Sequence, residues 1–248
     1  MSRMLMMAGC VLCVCAAARA EDGQYTPLYN GKNLDGWTPK FCTRAAGENY
    51  RDTFCVKDGL LTIDYSKWDK FRGEYGHLFY KTPYSHYRLR VTYRFIGEQL
   101  PDGPGWAWRN NGLMLHSQPP QAMAVDQEFP NSIEVQLLGN KRGPDERKIR
   151  HTANLCTPGT QVILWGKLFT PHCVSSKSKD FFGDGWVTVE VEVRGSESIR
   201  HIVDGEVVLE YTKPQLDDGT LLDKGYIAIQ AESHATQFKT IEIMPLDD

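Results

Sequence analysis

Two alternating stretches carry the carboxylates that could act on a substrate. In residues 131–138, Ile133, Val135 and Leu137 fall on one side, and Glu134 and Gln136 on the other. In residues 226–232, Gln230 and Glu232 share the side opposite Ile227 and Ile229. A third stretch, 110–117, alternates Asn111, Leu113 and Leu115 with Gly112, Met114 and His116. If these polar sides line one sheet, Glu134, Glu232 and His116 converge. Two carboxyl groups of unlike protonation, with a third group to hold developing charge, can perform acid–base work. Trp106 and Trp108 lie in a Pro- and Gly-rich stretch and offer ring faces on which a sugar could stack. The plainer reading of an outward Glu is a solvated or ion-paired one, and Glu190, Glu192 and Glu242 are read that way. Arg88, Arg90 and Arg94 read most simply as a solvated face. These residues alone leave catalysis and simple binding both open.

The elements that would hold these groups are strands. Residues 87–95 alternate strictly, with Tyr87, Leu89, Val91, Tyr93 and Phe95 on one side. Val187, Val189, Val191 and Val193 repeat the pattern, as do Ile241 and Ile243. Asp58-Gly59 and Asp204-Gly205 between apolar runs signal hairpins. Helical periodicity is weak. Irregular stretches span roughly 99–110, 118–131 and 140–184, and long loops on a sheet scaffold commonly carry function. The expectation is one all-β domain over 21–248, an antiparallel β-sandwich of jelly-roll type.

The chain has 248 residues, 41% hydrophobic and 24% charged, with a net charge of −3. That composition excludes a disordered or fibrous chain and gives no basic surface for nucleic acid. Residues 1–20 read as a signal peptide: Arg3, an apolar stretch too short to span a bilayer, and Ala18-Arg19-Ala20 before a cut. The mature chain is then secreted or periplasmic and carries no transmembrane segment. Of the 7 cysteines, Cys42, Cys55, Cys156 and Cys173 remain after that cut. The expected disulfides are Cys42–Cys55 and Cys156–Cys173, each closing a short loop, among three connectivities.

A series of short motifs in order resembles one bacterial secreted family. They are Leu28-Tyr-Asn-Gly-Lys-Asn-Leu-Asp-Gly-Trp37, Val56-Lys-Asp-Gly-Leu-Leu61, Asn110-Asn-Gly-Leu-Met-Leu115, Ser132-Ile-Glu-Val-Gln136 and Gly225-Tyr-Ile-Ala-Ile-Gln-Ala-Glu232, followed by Phe238-Lys-Thr-Ile-Glu-Ile243. Over about 26–246 the chain resembles the 3-keto-disaccharide hydrolase domain family. It departs from the family pattern at His116, where an arginine is usual, and at Ser233, where a glycine follows the closing Glu. The resemblance implies a concanavalin-like jelly roll, related in shape to β-glucanases, acting on glycosides whose C3 hydroxyl is oxidised to a ketone. Cleavage by hydrolysis, or by elimination across C1–C2 and hydration, needs a base, an enolate stabiliser and an acid. Glu134 is assigned as base or metal ligand and Glu232 as its partner, with His116 or Arg90 at the enolate. Asn111, Gln136, Gln230 and His201 would bind sugar hydroxyls. Gln136 stands where a related glucanase strand has a second carboxylate, which disfavours double displacement from one strand. A divalent cation could serve as stabiliser, but no compact metal motif names its ligands. The alternative is a non-catalytic glycan-binding module of the cell envelope.

Overall fold

The alternating stretches form strands, and the helical residues described amount to three short 3-10 turns. The structure is a computed structural model and describes residues 23–140 and 149–247. In chain order the first strands are β1 (Thr26–Pro27), β2 (Trp37–Phe41), β3 (Phe54–Lys57), β4 (Leu60–Ile63), β5 (Gly76–Tyr80), β6 (His86–Gln99), β7 (Asn110–Ser117) and β8 (Ile133–Leu138). They are followed by β9 (Asn154–Cys156), β10 (Thr160–Leu164), β11 (Lys167–Phe169), β12 (Cys173–Val174), β13 (Val187–Arg194), β14 (Ser198–Val203), β15 (Glu206–Leu216), β16 (Tyr226–Ala231) and β17 (His234–Pro245). A back sheet runs β11-β10-β15-β14-β13-β6-β17-β4-β3, with β1 beside β17, and a front sheet runs β12-β9-β8-β7-β16-β5-β2. The sandwich expected from alternation is the one observed.

Period-two burial explains how the sheets pack. β6 turns Tyr87, Leu89, Val91, Tyr93 and Phe95 inward, and β13 adds its four valines. The front sheet answers with Leu113, Leu115, Ile133, Val135, Leu137, Ile227 and Ile229. Each such burial is worth about 1.5–3 kcal/mol relative to exposure. Most polar groups inside this layer are paired, although the Tyr87 hydroxyl has no partner among the described residues. Tyr93 donates to the Leu138 carbonyl at 2.9 Å. His201, on β14, shares hydrogen bonds with the Ala153 carbonyl and the Tyr211 hydroxyl, each at 2.8 Å. Both Asp-Gly turns are two-residue hairpin loops with positive φ, 51° and 76° at 58–59 and 53° and 81° at 204–205. Only residues tolerant of that region close a type I′ turn cheaply.

The stretch 140–184, expected to be irregular, contains β9 to β12. These strands have two to five residues, too few to display a period. The chain crosses between sheets here. β9 lies in the front sheet, β10 and β11 join the back sheet beside β15, and β12 returns to β9. Cys156 pairs with Cys173 in register and is bonded to it, closing the base of this excursion. The expected Cys42–Cys55 bond does not form, and both thiols are free. Cys42 follows β2 of the front sheet, whereas Cys55 lies in β3 of the back sheet. Short separation along the chain does not bring them together. The signal-peptide reading lies outside the described residues. No helix among the described residues is long and apolar enough to cross a membrane.

Alkylating the denatured, unreduced protein should label Cys42 and Cys55 and leave Cys156 and Cys173 unlabelled. Peptide mapping by mass spectrometry reads the result, and label on Cys156 or Cys173 would contradict the pairing.

Candidate functional site

The front sheet is buried on its outer face as well as its inner one. All eight residues of β7 are buried, and so are nearly all of β8 and β16. Loops over the outer face are the reason. From the loop after β7, Met123 packs with Phe79, Met114 and Ala228. Phe129 meets the His77 ring edge-on at 5.9 Å and Tyr75 at 4.7 Å. Trp106 stacks on Tyr75 at 6.0 Å. Polar side chains on this face are therefore removed from water.

Glu134 and Gln230 meet over Gly112. A Cβ at position 112 would stand 2.5 Å from Glu134 Oε1 and 3.0 Å from Gln230 Oε1, so glycine leaves the room that these groups occupy. Glu134 is 5% exposed and Glu232 2%. Buried atoms without a hydrogen-bond partner among the described residues include Glu134 Oε1, Glu232 Oε2, both ends of the Gln230 amide and both ring nitrogens of His77. Buried polar atoms are normally paired, so this concentration marks a place prepared for something else. Burial pushes the Glu134 carboxyl up to about 8. Glu232 is also held well above the ordinary range, first by burial and then by the charge of Glu134, with Arg150 opposing. Two carboxyl groups in one dry site cannot both ionise cheaply. The charge of whichever carboxyl ionises opposes ionisation of the other, and Arg150 offsets part of that cost at Glu232. Burial lowers His77 to about 3, with Lys40 adding to the effect, so His77 is neutral.

Backbone geometry aims Glu232. The next residue, Ser233, sits at φ 97°, on the side of the map that favours glycine. Its N–H donates to the Tyr65 hydroxyl at 2.8 Å, and its hydroxyl accepts from Gln99 Nε2 at 2.9 Å. Glu134 and Glu232 open into a cleft of about 870 Å³, which Trp106, Trp108, Phe129, Gln136, Arg150 and Asn154 also line. Arg150 donates to the carbonyls of Trp108 and, at 3.3 Å, Trp106. That ties the Trp-bearing loop across the cleft.

The structure brings together Glu134, Glu232, Gln136, Trp106 and Trp108, with Gln230 directly beside Glu134. It does not bring the other expected residues. His116 is at the far end of β7, bonded to the Gly195 carbonyl at 3.0 Å and lining a separate hollow. Arg90 is on the back sheet, bidentate on Glu242 and stacked over Tyr25. His201 is a core bridge between the sheets. Asn111 is on the core side of β7, where its amide donates to the Gln230 carbonyl at 2.6 Å and braces β7 against β16. Sequence reasoning missed Arg150, Phe129, Asn154 and His77 as contributors. His77 pairs in register with Gln230, a juxtaposition that only strand order reveals.

The family model for the 3-keto-alpha-glucoside-1,2-lyase-like domain matches residues 24–244. The chain belongs to that family. No curated sequence matches it. Among solved structures it is similar to two proteins of Parabacteroides distasonis named as candidate glycosyl hydrolases. One is 18% identical with a TM-score of 0.56 over 91% of this chain and 95% of that one. The other is 15% identical with a TM-score of 0.54 over 90% and 100%. It is also similar to a Bacillus licheniformis beta-glucanase at 12% identity and a TM-score of 0.52, covering 92% and 100%. At such identities the likeness establishes the jelly-roll fold. Together with the family it points to a carbohydrate-related function.

Within this lyase-like domain, the donors that gather within 4.8 Å of one another are Cys156, His172 and Cys173. Two of those are joined as a disulfide, so the trio fits no ion in this state. Glu134 and Glu232 belong to no such cluster among the described residues.

The raised carboxyl pair costs stability, with a definite sign. Below about pH 4.5, folded and unfolded chains both hold the Glu134 proton. As pH rises toward about 8 the unfolded chain ionises while the folded one does not, so stability falls across that window. Glu134→Gln should therefore be clearly more stable than the parent at about pH 8 and indistinguishable at about pH 4. Urea denaturation at the two pH values checks this.

Proposed function

We propose that the chain cleaves the glycosidic bond of 3-keto-glycosides. The observation that carries this reading is the pair of buried carboxyls Glu134 and Glu232, each held above the ordinary range, in the cleft of a member of this family. A ketone at C3 acidifies the hydrogen on C2, and the leaving oxygen on C1 is β to that ketone. Glu134 takes the C2 proton. The C–H electron pair becomes the enolate, then forms the C1–C2 double bond as the C1–O bond breaks. The leaving oxygen keeps that bonding pair and takes the proton held by Glu232. Water added across the double bond completes net hydrolysis. The Arg150 guanidinium, whose charge acts on Glu232, and the Gln136 amide replace His116 and Arg90 as candidate groups facing the developing oxyanion. Neutral His77 and Gln230 extend the polar floor behind Glu134. The reading also includes export to a secreted or periplasmic location, supported by the pattern of residues 3–20 and by the Cys156–Cys173 bond.

The test is turnover of a 3-keto-glucoside beside the unoxidised glucoside. Release should come from the keto substrate alone and rise with pH through about 8, as Glu134 gains charge. Glu134→Gln should lower kcat/KM by about 10²–10⁴-fold with the fold intact. Equal release from the unoxidised glucoside would point to an ordinary glycosidase. Sugar binding without turnover, surviving Glu134→Gln and lost in Trp106→Ala, would instead make the chain a glycan-binding module.

A further inference from the structure

We infer that His77 is a positioning residue for Glu134, acting through the Gln230 amide. This rests on the cleavage reading above, in which Glu134 must exist both as an anion and as an acid. Lys40 on β2, His77 on β5 and Gln230 on β16 pair in register, so their side chains share the covered outer face of the front sheet. His77 and Gln230 are fully buried, and neither lines the cleft. They can act on Glu134 but not on substrate directly. Both ends of the Gln230 amide, both nitrogens of the His77 ring and Glu134 Oε1 lack partners among the described residues. Phe79 and Phe129 pack on the ring at 6.2 and 5.9 Å between centroids, and its polar register neighbours are Gln230 and Lys40.

The two forms of a working carboxyl ask opposite things of a neighbour. The acid donates a hydrogen bond, and the anion accepts one. Gln230 can meet both, because a half-turn of its amide exchanges oxygen for nitrogen. Its oxygen is the end turned to the space over Gly112 that Glu134 Oε1 also enters, which suits a protonated Glu134. A half-turn would strand the far end of the amide in a dry interior unless that end also found a partner. A neutral imidazole supplies one in either case, because it carries one donor and one acceptor. When Glu134 is protonated, the Gln230 nitrogen donates to the bare ring nitrogen of His77. When Glu134 is ionised, the Gln230 nitrogen donates to the carboxylate and its oxygen accepts from the ring N–H. Between the two states one ring nitrogen loses a proton and the other gains one, so the ring stays neutral. Lys40 favours the second state. Its Nζ donates to the Phe41 and Val125 carbonyls at 2.7 and 3.2 Å, which leaves a third N–H for the far ring nitrogen once that is bare. Its charge also opposes a second proton on the ring.

The test follows the His77 ring by nitrogen NMR in protein carrying isotope-labelled histidine, with His77→Gln identifying its signals. Between about pH 5 and about pH 9 the dominant neutral tautomer should exchange as Glu134 ionises. In Glu134→Gln it should stay constant. The other charged groups around this row are Lys40, with Asp126 acting on it, and Glu232 with Arg150. An exchange that persists in Glu134→Gln would belong to one of those and would overturn the inference. One unchanging tautomer in the parent would overturn it too. Neither result depends on turnover, so inactivity toward a 3-keto-glucoside would end the cleavage reading and leave the tautomer to decide the link between His77 and Glu134. With turnover, His77→Leu should lower kcat by about 10–100-fold and move the rise in rate to higher pH, because the anion loses its oriented donor. His77→Gln, which can still donate or accept, should restore most of both. An equal loss in the two variants with the pH profile unmoved would mean that His77 only packs, and would overturn the inference.

Discussion

Glu134 and Glu232 sit where water is scarce, and the charge of one holds back ionisation of the other. The surrounding architecture follows from keeping them so. The loops carrying Phe129 and Trp106 must cover the front sheet, or both carboxyls would ionise as ordinary solvated groups. Gly112 must lack a side chain, or Glu134 and Gln230 would lose their meeting place. Ser233 must hold a backbone conformation that serine adopts at a cost, because it continues directly from Glu232. Arg150 must stand nearby with its charge, yet bonded to carbonyl oxygens rather than to a carboxylate. A cation paired directly to Glu232 would fix that group as a permanent anion.

The back sheet supplies the rigidity. β6 contacts both β13 and β17 along most of its length, and its outward arginines are held across the strands, Arg94 by the Gln237 amide oxygen and the other two by carboxylates. Arg88 is bidentate on Glu192, and Arg90 on Glu242. The inward face meets the front sheet through close-packed apolar side chains and a few paired polar bridges, such as His201. Reactive and structural polarity are thus separated. Inside the sandwich most polar groups are satisfied, the Tyr87 hydroxyl excepted, whereas those on the covered outer face of the front sheet include many that are not.

That separation sets how much the sequence discloses. β6 and β13 are polar on one side and buried on the other, so their alternation is plain and the sandwich follows from it. The Asp-Gly turns are legible because a positive φ at two successive positions admits few residue types. Glu134 and Glu232 could be singled out because each interrupts an apolar strand at a fixed parity. Parity says which side a residue faces and not what lies along that side. His116 shares a parity with Gly112 but lies at the other end of the strand, and Asn111 turned out to serve the core. His201 looks like a polar strand residue, yet it is held between Tyr211 on the neighbouring strand and the carbonyl of Ala153, 48 residues away beside the other sheet. Arg150 and Phe129 belong to loops with no period. Short separation likewise misled for Cys42 and Cys55, because the chain passes from the front sheet at β2 to the back sheet at β3 between them.

The crossing of β10 and β11 to the back sheet, tied at its root by Cys156–Cys173, also bears on how this chain can change. The hairpin tip, Trp165-Gly166, is far out in solvent, while the covalent bond at the root fixes the strand ends that border the cleft. Length and composition beyond the root are thereby insulated from the chemistry. Insertions, a grafted peptide or a backbone nick at the tip would be tolerated there without the severed halves parting, which makes this hairpin a natural place for lineages or engineers to add new surface.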